Sequence, residues 1–420
     1  MYAEIFANGD EITSGKILDT NSQWLSRELE KLGVSVLYHT TVVDELPEMV
    51  EAIRIAMNRV DLIVWSGGLG PTSDDLTRQA FADAAGVPLV RDAESFRQIE
   101  EIHQRRGGRM SPAHERQAFQ PQGAVPIRNP NGTAPGVDFT VKRTAPIPEG
   151  RHDFVRLMAF PGVPAEMREM WHDSGRQTLQ TMLHSLRGGN WIIKYRSIHS
   201  FGLGESQVEG MFPGLMARDH VPKVGITATQ ATITLHIAAE GETEEECDQQ
   251  IEPTAKFIYE TLGNRIFGEG DDTLADVVCR IVNAQDKKIA VVEAGTRGLL
   301  AEALGSSAES APCFLGSVVV PPRTPIAPDR MIEIGRKMFD TADYFLLIGA
   351  YPGGMPDRTR SDETFVAVVN AKDSNLQTSI LQMRNFPFVG HPGIIDDLYT
   401  KRALDTFRLH FALPHTAQRQ

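Results

Sequence analysis

Ser66-Gly-Gly-Leu-Gly-Pro-Thr-Ser-Asp-Asp-Leu-Thr77 is the stretch on which the fold turns. Ahead of it, Asp61-Leu-Ile-Val-Trp65 is a short apolar run of the kind that forms a buried parallel strand. After it, Leu76, Ala80 and Ala84 recur at helical spacing, which predicts a helix beginning near Asp74. The stretch is therefore a strand–loop–helix junction. Gly67, Gly68 and Gly70 let the backbone approach a ligand with no side chain in the way. Ser66 and Thr72 bracket them, and a helix start offers unpaired N–H groups that suit phosphate. Two roles are open to Asp74 and Asp75: capping the helix, or holding a hard divalent cation beside a phosphate cradle.

Working outward, Tyr2-Ala-Glu-Ile-Phe-Ala7 looks like a first strand and runs into the polar loop Asn8-Gly-Asp-Glu-Ile-Thr-Ser-Gly15. The expectation for this stretch is a first strand and not a signal peptide. Asn21 is a candidate N-cap for a helix with the stripe Leu25, Leu29 and Leu32, ended by Gly33. Residues 34–38 read as a strand, and Pro47 opens a helix striped by Val50, Ile53, Met57 and Val60. Strands alternating with helices in this order predict a doubly wound parallel sheet. In such sheets ligands sit beyond the carboxyl ends of the strands, where the 9–15 and 67–75 loops both lie.

Residues 91–120 are polar and include Arg105-Arg-Gly-Gly-Arg109, either a phosphate-holding cluster or a solvated helix end. Asn129-Pro-Asn-Gly-Thr-Ala-Pro-Gly136 is a dense turn sequence, either a plain connection or a third wall of the same pocket. Residues 154–160 predict a strand that enters a helix through Pro161-Gly-Val-Pro164. Composition shifts near 175–190, and residues 191–265 predict a small α+β module with strands at 192–199 and 231–239 and a helix at 242–262. Its Phe201-Gly-Leu-Gly-Glu-Ser206 is a turn with Glu205 or Ser206 as cap, not a dinucleotide fingerprint. From about 270 the pattern is α/β again, with a helix capped by Thr273, strands at 289–293, 314–320, 344–348 and 365–369, and a terminal helix bearing Leu404, Phe407 and Phe411.

With 420 residues, 41% hydrophobic and 23% charged, the chain has room for two or three domains with full cores. Its net charge of −13 argues against nonspecific binding to nucleic acid or to an anionic membrane. Cys247, Cys279 and Cys313 are scattered without metal or disulfide spacing, which points to a reducing, cytoplasmic setting. No apolar run approaches the roughly 20 residues of a membrane span.

At this point the motifs resemble one family. Asn8-Gly-Asp-Glu with Ser14-Gly15, Gly67-Gly-Leu-Gly-Pro-Thr72 with Asp74-Asp-Leu-Thr77, Asn129-Pro with Gly132-Thr-Ala-Pro-Gly136, and Pro161-Gly-Val-Pro with Glu166-Met167 are similar, in order, to the CinA family (competence/damage-inducible protein A). The resemblance covers essentially the whole chain. It implies a molybdopterin-binding-like domain of the MoaB/MogA type over 1–172, a KH-like α+β module over 173–265 and a CinA C-terminal α/β domain over 270–420. The first domain of the family is associated with metal-dependent hydrolysis of ADP-ribose to AMP and ribose 5-phosphate. The last is a nicotinamide mononucleotide amidohydrolase, and the polypeptide is a homodimer.

For the first domain the resemblance implies a nucleotide site built from Gly9, Ser14, Gly15, Ser66, Gly67, Gly68, Gly70, Thr72, Asn129, Gly132, Thr133, Pro161 and Gly162. Its catalytic carboxylates would be Asp10, Glu11, Asp74 and Asp75. Asp10, Asp74 and Asp75 would hold a divalent metal such as Mg, Mn or Co.

The last domain departs from the family. The family's Glu-Ser-Cys-Thr-Gly-Gly run carries a serine nucleophile, whereas here Glu293-Ala-Gly-Thr-Arg-Gly298 puts Ala294 at that place. Alanine has no hydroxyl with which to attack an amide. Arg297 replaces a glycine, Val319-Val-Pro-Pro-Arg-Thr-Pro325 stands where a Tyr, Asn and Lys set belongs, and Ile348-Gly-Ala-Tyr-Pro-Gly353 lacks the family's leading threonine. Thr296 survives with nothing visible to activate it. The expectation is a metal-dependent pyrophosphatase with a degenerate amidase domain. The alternatives are a nucleotide- or pterin-binding module without hydrolysis, and a residual amidase. The last domain could also have become a dimerisation or regulatory piece.

Overall fold

Ile5 and Phe6 are neighbours in the strand Tyr2–Asn8, and both are buried. Successive side chains of a strand point to opposite faces. Ile5 packs with Leu25, Leu29 and Val64 on one side, and Phe6 with Ile53, Trp65 and Phe81 on the other. Helices thus cover both faces, which is why Leu62–Ser66 is apolar up to its last residue and why Tyr2–Asn8 is buried almost throughout, its Glu4 paired with Arg59. The computed structural model describes residues 1–108, 110–143, 147, 149–188, 192–217, 219–321, 326–351, 363–387 and 393–411. The expectations placed on Arg109, on residues 322–325 and on Pro352 and Gly353 lie outside these.

Six strands form the first sheet, in the order Ser35–Val42, Tyr2–Asn8, Leu62–Ser66, Phe154–Phe160, Gly136–Lys142, Val125–Ile127. The first four are parallel, as a doubly wound sheet requires, and the last two add an antiparallel edge. All four parallel strands deliver their carboxyl ends to one side, followed by the loops that start at Gly9, Val43, Gly67 and Pro161.

The described residues divide into two compact units, Met1–Ile193 with Glu240–Glu244, and Lys194–Ala239 with Glu245–Gln420. The first holds the six-stranded sheet. The second contains, apart from a few end residues, a four-stranded sheet in the order Lys223–Thr229, Thr232–Gly241, Ile192–Phe201, Ile266–Glu269, and the helix Glu244–Leu262. It also contains a five-stranded sheet in the order Phe314–Val319, Ile289–Glu293, Tyr344–Ile348, Glu363–Asn370, Ile380–Pro387, of which the first three are parallel. Within this unit Arg408, from the terminal helix Ile395–Phe411, donates to the carbonyls of Asn264 and Ile266.

Three expected helix starts move. The helix after the glycine loop is Thr77–Ala85, not one beginning near Asp74. Asp75 accepts from both the N–H and the hydroxyl of Thr72, at 2.8 and 2.5 Å, which folds 72–75 into a turn ahead of the helix. The helix expected to be capped by Asn21 is Thr20–Glu30, and Asp19 caps it by accepting from the Ser22 N–H at 2.9 Å. In the second unit the cap of Glu205–Met211 is Gly204, whose N–H donates to the Gln207 side chain at 2.9 Å.

Candidate functional site

The Gly67–Gly68 corner brings the chain back on itself. Both residues have positive φ, 111° and 63°. A β-carbon on Gly67 would stand 2.7 Å from Asn8 Oδ1, and one on Gly68 would overlap the Thr77 hydroxyl. Only glycine fits a left-handed backbone pressed this tightly. The corner is then tied from both sides. The Gly67 N–H donates to the Phe160 carbonyl at 2.9 Å, and the Thr77 hydroxyl donates to the Gly67 carbonyl at 2.9 Å.

Beyond this corner lies a cavity of about 740 Å³. Of the expected site residues, Gly9, Glu11, Ser66, Gly67, Gly68, Gly70, Thr72, Asp74, Asp75, Gly132, Thr133, Pro161 and Gly162 line it. The loops after three strands, together with the 129–136 turn, are thus brought together. Asp10, Ser14, Gly15 and Asn129 are not among the lining residues. Asp10 begins the one-turn helix Asp10–Thr13 and is exposed; Ser14 and Gly15 close that turn. Asn129 works from behind. Its Oδ1 accepts from the N–H of Gly132 at 2.7 Å, and its Nδ2 donates to Glu166 at 2.8 Å and to the Ala134 carbonyl at 3.1 Å.

Three residues that the sequence did not mark for the site complete it. Asp44 lines the cavity and is reached through a buried relay. The Trp65 indole N–H donates to Asn8 Oδ1 at 2.8 Å, and Asn8 Nδ2 donates to Asp44 at 2.5 Å. Burial holds the Asp44 carboxyl above the usual aspartate range, against the hydrogen bonds from Asn8 and Asp10 and with the charges of Asp10 and Glu11. Arg78 is buried beneath the loops and donates to the carbonyls of Leu69 at 3.0 Å and Pro135 at 2.6 Å. It fastens the glycine loop to the 129–136 turn, and burial pulls its guanidinium down to about 10 despite the charge of Asp75. Asn21 donates to Ser66 Oγ and to the Gly162 carbonyl, each at 2.8 Å, which joins three strand-end loops.

Asp44 was legible in one respect. The strand predicted at 34–38 runs to Val42, so Asp44 sits just past its carboxyl end, like the other lining residues.

Six carboxylates line the cavity, those of Glu11, Asp19, Asp44, Asp74, Asp75 and Glu166, against one cationic side chain among the described residues, Arg106. No three histidine, cysteine or carboxylate groups among the described residues gather closely enough to hold a metal by themselves. The expected trio Asp10, Asp74 and Asp75 is therefore not a preformed cage. The donor set still suits Mg²⁺, which commonly takes one or two carboxylates and completes its shell with substrate phosphates and water.

In the second unit, Ala294 and Thr296 are buried. The Thr296 hydroxyl donates to Glu293 at 2.5 Å, and Glu293 also accepts from the N–H groups of Leu300 and Ala301. Arg297 has φ 55° and pairs with Asp396. The Tyr351 ring lies so close to Gly295 that a β-carbon there would overlap it.

The glycine-cornered cavity lies at the carboxyl ends of a doubly wound sheet and is walled by carboxylates, and the domain that carries it is of the molybdopterin-binding class by its sequence match. Residues 4–181 match the family described as "Probable molybdopterin binding domain", and residues 195–268 match "Damage-inducible protein CinA KH domain". The chain belongs to the CinA-like protein family. The CinA-like protein of Thermosynechococcus vestitus is 35% identical over 319 residues, 76% of this chain and 73% of that protein. That of Nostoc punctiforme is 34% identical over 319 residues, with the same coverage of 76% and 73%. A solved structure of the protein CinA with unknown function from Thermoplasma acidophilum aligns with a TM-score of 0.37 at 30% identity, over 42% of this chain and 98% of that one. Among the described residues no helix is long and apolar enough to cross a membrane.

Proposed function

We propose that the first unit hydrolyses the diphosphate of an ADP-ribose-like nucleotide, releasing AMP, with a divalent cation. The observation that carries this is the charge of the cavity: six carboxylates and one arginine around a glycine-cornered floor. Such a wall repels a bare diphosphate and accepts one neutralised by a cation. The carboxylates that would hold Mg²⁺, Mn²⁺ or Co²⁺ are drawn from Glu11, Asp44, Asp74 and Asp75. A cation bound there supplies charge to the phosphate oxygens and acidifies an attacking water. The protein's own part is placement. The Gly67–Gly68 corner admits the phosphates to the backbone, Arg106 faces them from the rim, and Arg78 and Asn21 keep the loops in register.

The test is incubation with ADP-ribose and each cation, with AMP as readout. AMP formation that needs the cation and is lost in Asp74→Ala/Asp75→Ala supports the proposal; no cation-dependent turnover sinks it. Tight calorimetric binding of the nucleotide without product would instead favour a binding module. For the second unit we propose a fold without amidase activity. The support is Thr296, whose hydroxyl is buried and committed to a glutamate that also serves two backbone N–H groups. Ammonia released from nicotinamide mononucleotide by the unmodified protein would refute this.

A further inference from the structure

The rim of the first-unit cavity carries a feature that diphosphate chemistry does not use. Ile17, Leu18 and Val163 line the cavity yet are 58%, 85% and 53% exposed. Large apolar side chains left in water at one place mark a surface that meets something else. Ile17 and Leu18 precede the helix Thr20–Glu30, and Val163 precedes Pro164–Met170. Asn21 holds these two loops together through its bond to the Gly162 carbonyl. Of the polar groups nearest them, Asp19 caps its helix, both bonds donated by Asn21 Nδ2 stay within the protein, and Asn21 Oδ1, which has no hydrogen-bond partner, is buried. Pro161, Pro164 and Ile12 extend the apolar side.

We infer that Ile17, Leu18 and Val163 seat the base of the nucleotide, and that they read it by covering its flat face, not by hydrogen bonds. This rests on the diphosphate reading of the same cavity. The occupant follows from the juxtaposition. One cavity, of a size suited to a single small ligand, offers carboxylates for a cation-bridged anion and an apolar rim for a flat ring. A nucleoside diphosphate derivative has both ends. Because an apolar seat cannot strongly reject a ring of similar shape that differs in polar groups, the site accepts guanine as well as adenine.

Calorimetry with Mg²⁺ separates the two halves of the site. The probes are α,β-methylene-ADP, its guanosine counterpart, and methylenediphosphonate, which has no base. The unmodified protein should bind both nucleotides with similar affinity, within about fivefold, and the base-free probe at least about tenfold more weakly. In Leu18→Ser/Val163→Ser the nucleotides should weaken about tenfold while methylenediphosphonate is unchanged. These side chains are exposed, so an unchanged melting temperature is expected and excludes misfolding as the cause. Nucleotide affinity that survives the double substitution overturns the inference while leaving the diphosphate reading intact. So does equal weakening of all three probes, or a preference between the bases above about a hundredfold, which would require hydrogen-bond readout. A loss of self-association with ligand affinity unchanged would assign the rim to a second copy of the chain instead. No binding of any probe by the unmodified protein would sink the diphosphate reading itself.

Discussion

Asp44 carries the tension between stability and chemistry at this site. Its carboxyl is raised above the ordinary value of 3.8, chiefly by burial, so its ionised form is the costly one in the fold. The stabilising contribution is full below the unfolded value and is lost as pH rises through the folded one. At pH 7 Asp44→Asn should therefore melt no lower than the parent, while AMP release falls about 10²-fold or more. Thermal melts at pH 4 and 7 beside initial rates would check both halves, and a variant that is less stable at pH 7 would contradict the assignment. Arg78 makes the opposite case. Arg78→Met leaves the carbonyls of Leu69 and Pro135 without this buried donor, at a cost of about 1–3 kcal/mol each. Urea unfolding should show a loss of about 2–6 kcal/mol. Arg78→Lys should recover only part of it, since an ammonium lacks the planar fork that spans two loops.

At the scale of elements, the strand-to-helix junctions decide what reaches the cavity. The helix Thr20–Glu30 is started by Asp19, and its first turn carries Asn21 into contact with Ser66 and Gly162. Asp19→Ala should cost about 1 kcal/mol in chemical denaturation. It should also raise the KM for ADP-ribose, because fraying this turn loosens the loop that bears Ile17 and Leu18. A KM that does not move would show that Asn21 holds the loop without the cap. The strands themselves were unevenly legible. Phe154–Phe160, Ile289–Glu293 and Tyr344–Ile348 sit where their apolar runs placed them, because burial on both faces writes a continuous signal. Ile380–Pro387 was missed. It is an edge strand with several exposed side chains, so neither alternation nor a run marks it.

For the whole molecule, the proposal assigns unequal chemistry to the two α/β units. Thr296→Val removes one of the bonds to Glu293, and should cost about 1 kcal/mol of stability with no change in AMP release. Ammonia assays on nicotinamide mononucleotide should stay blank for Ala294→Ser, since Tyr351 lies over Gly295 and Arg297 still pairs with Asp396. Recovery of deamidation by that one change would show that the second site was dismantled at a single position. What the sequence alone determined was local: the order of strands and helices, the glycines of the 67–70 corner, and an alanine, with no hydroxyl, at 294. Periodicity, turn chemistry and the absence of a functional group act over a few residues and need no partner. The tertiary structure alone decided which side chains share the cavity. Asp44 reaches Asn8 across two strands, Arg78 joins carbonyls on separate loops, and Asn21 crosses to Gly162. Those meetings depend on parallel pairing bringing distant strand ends to one side, and no local pattern encodes them.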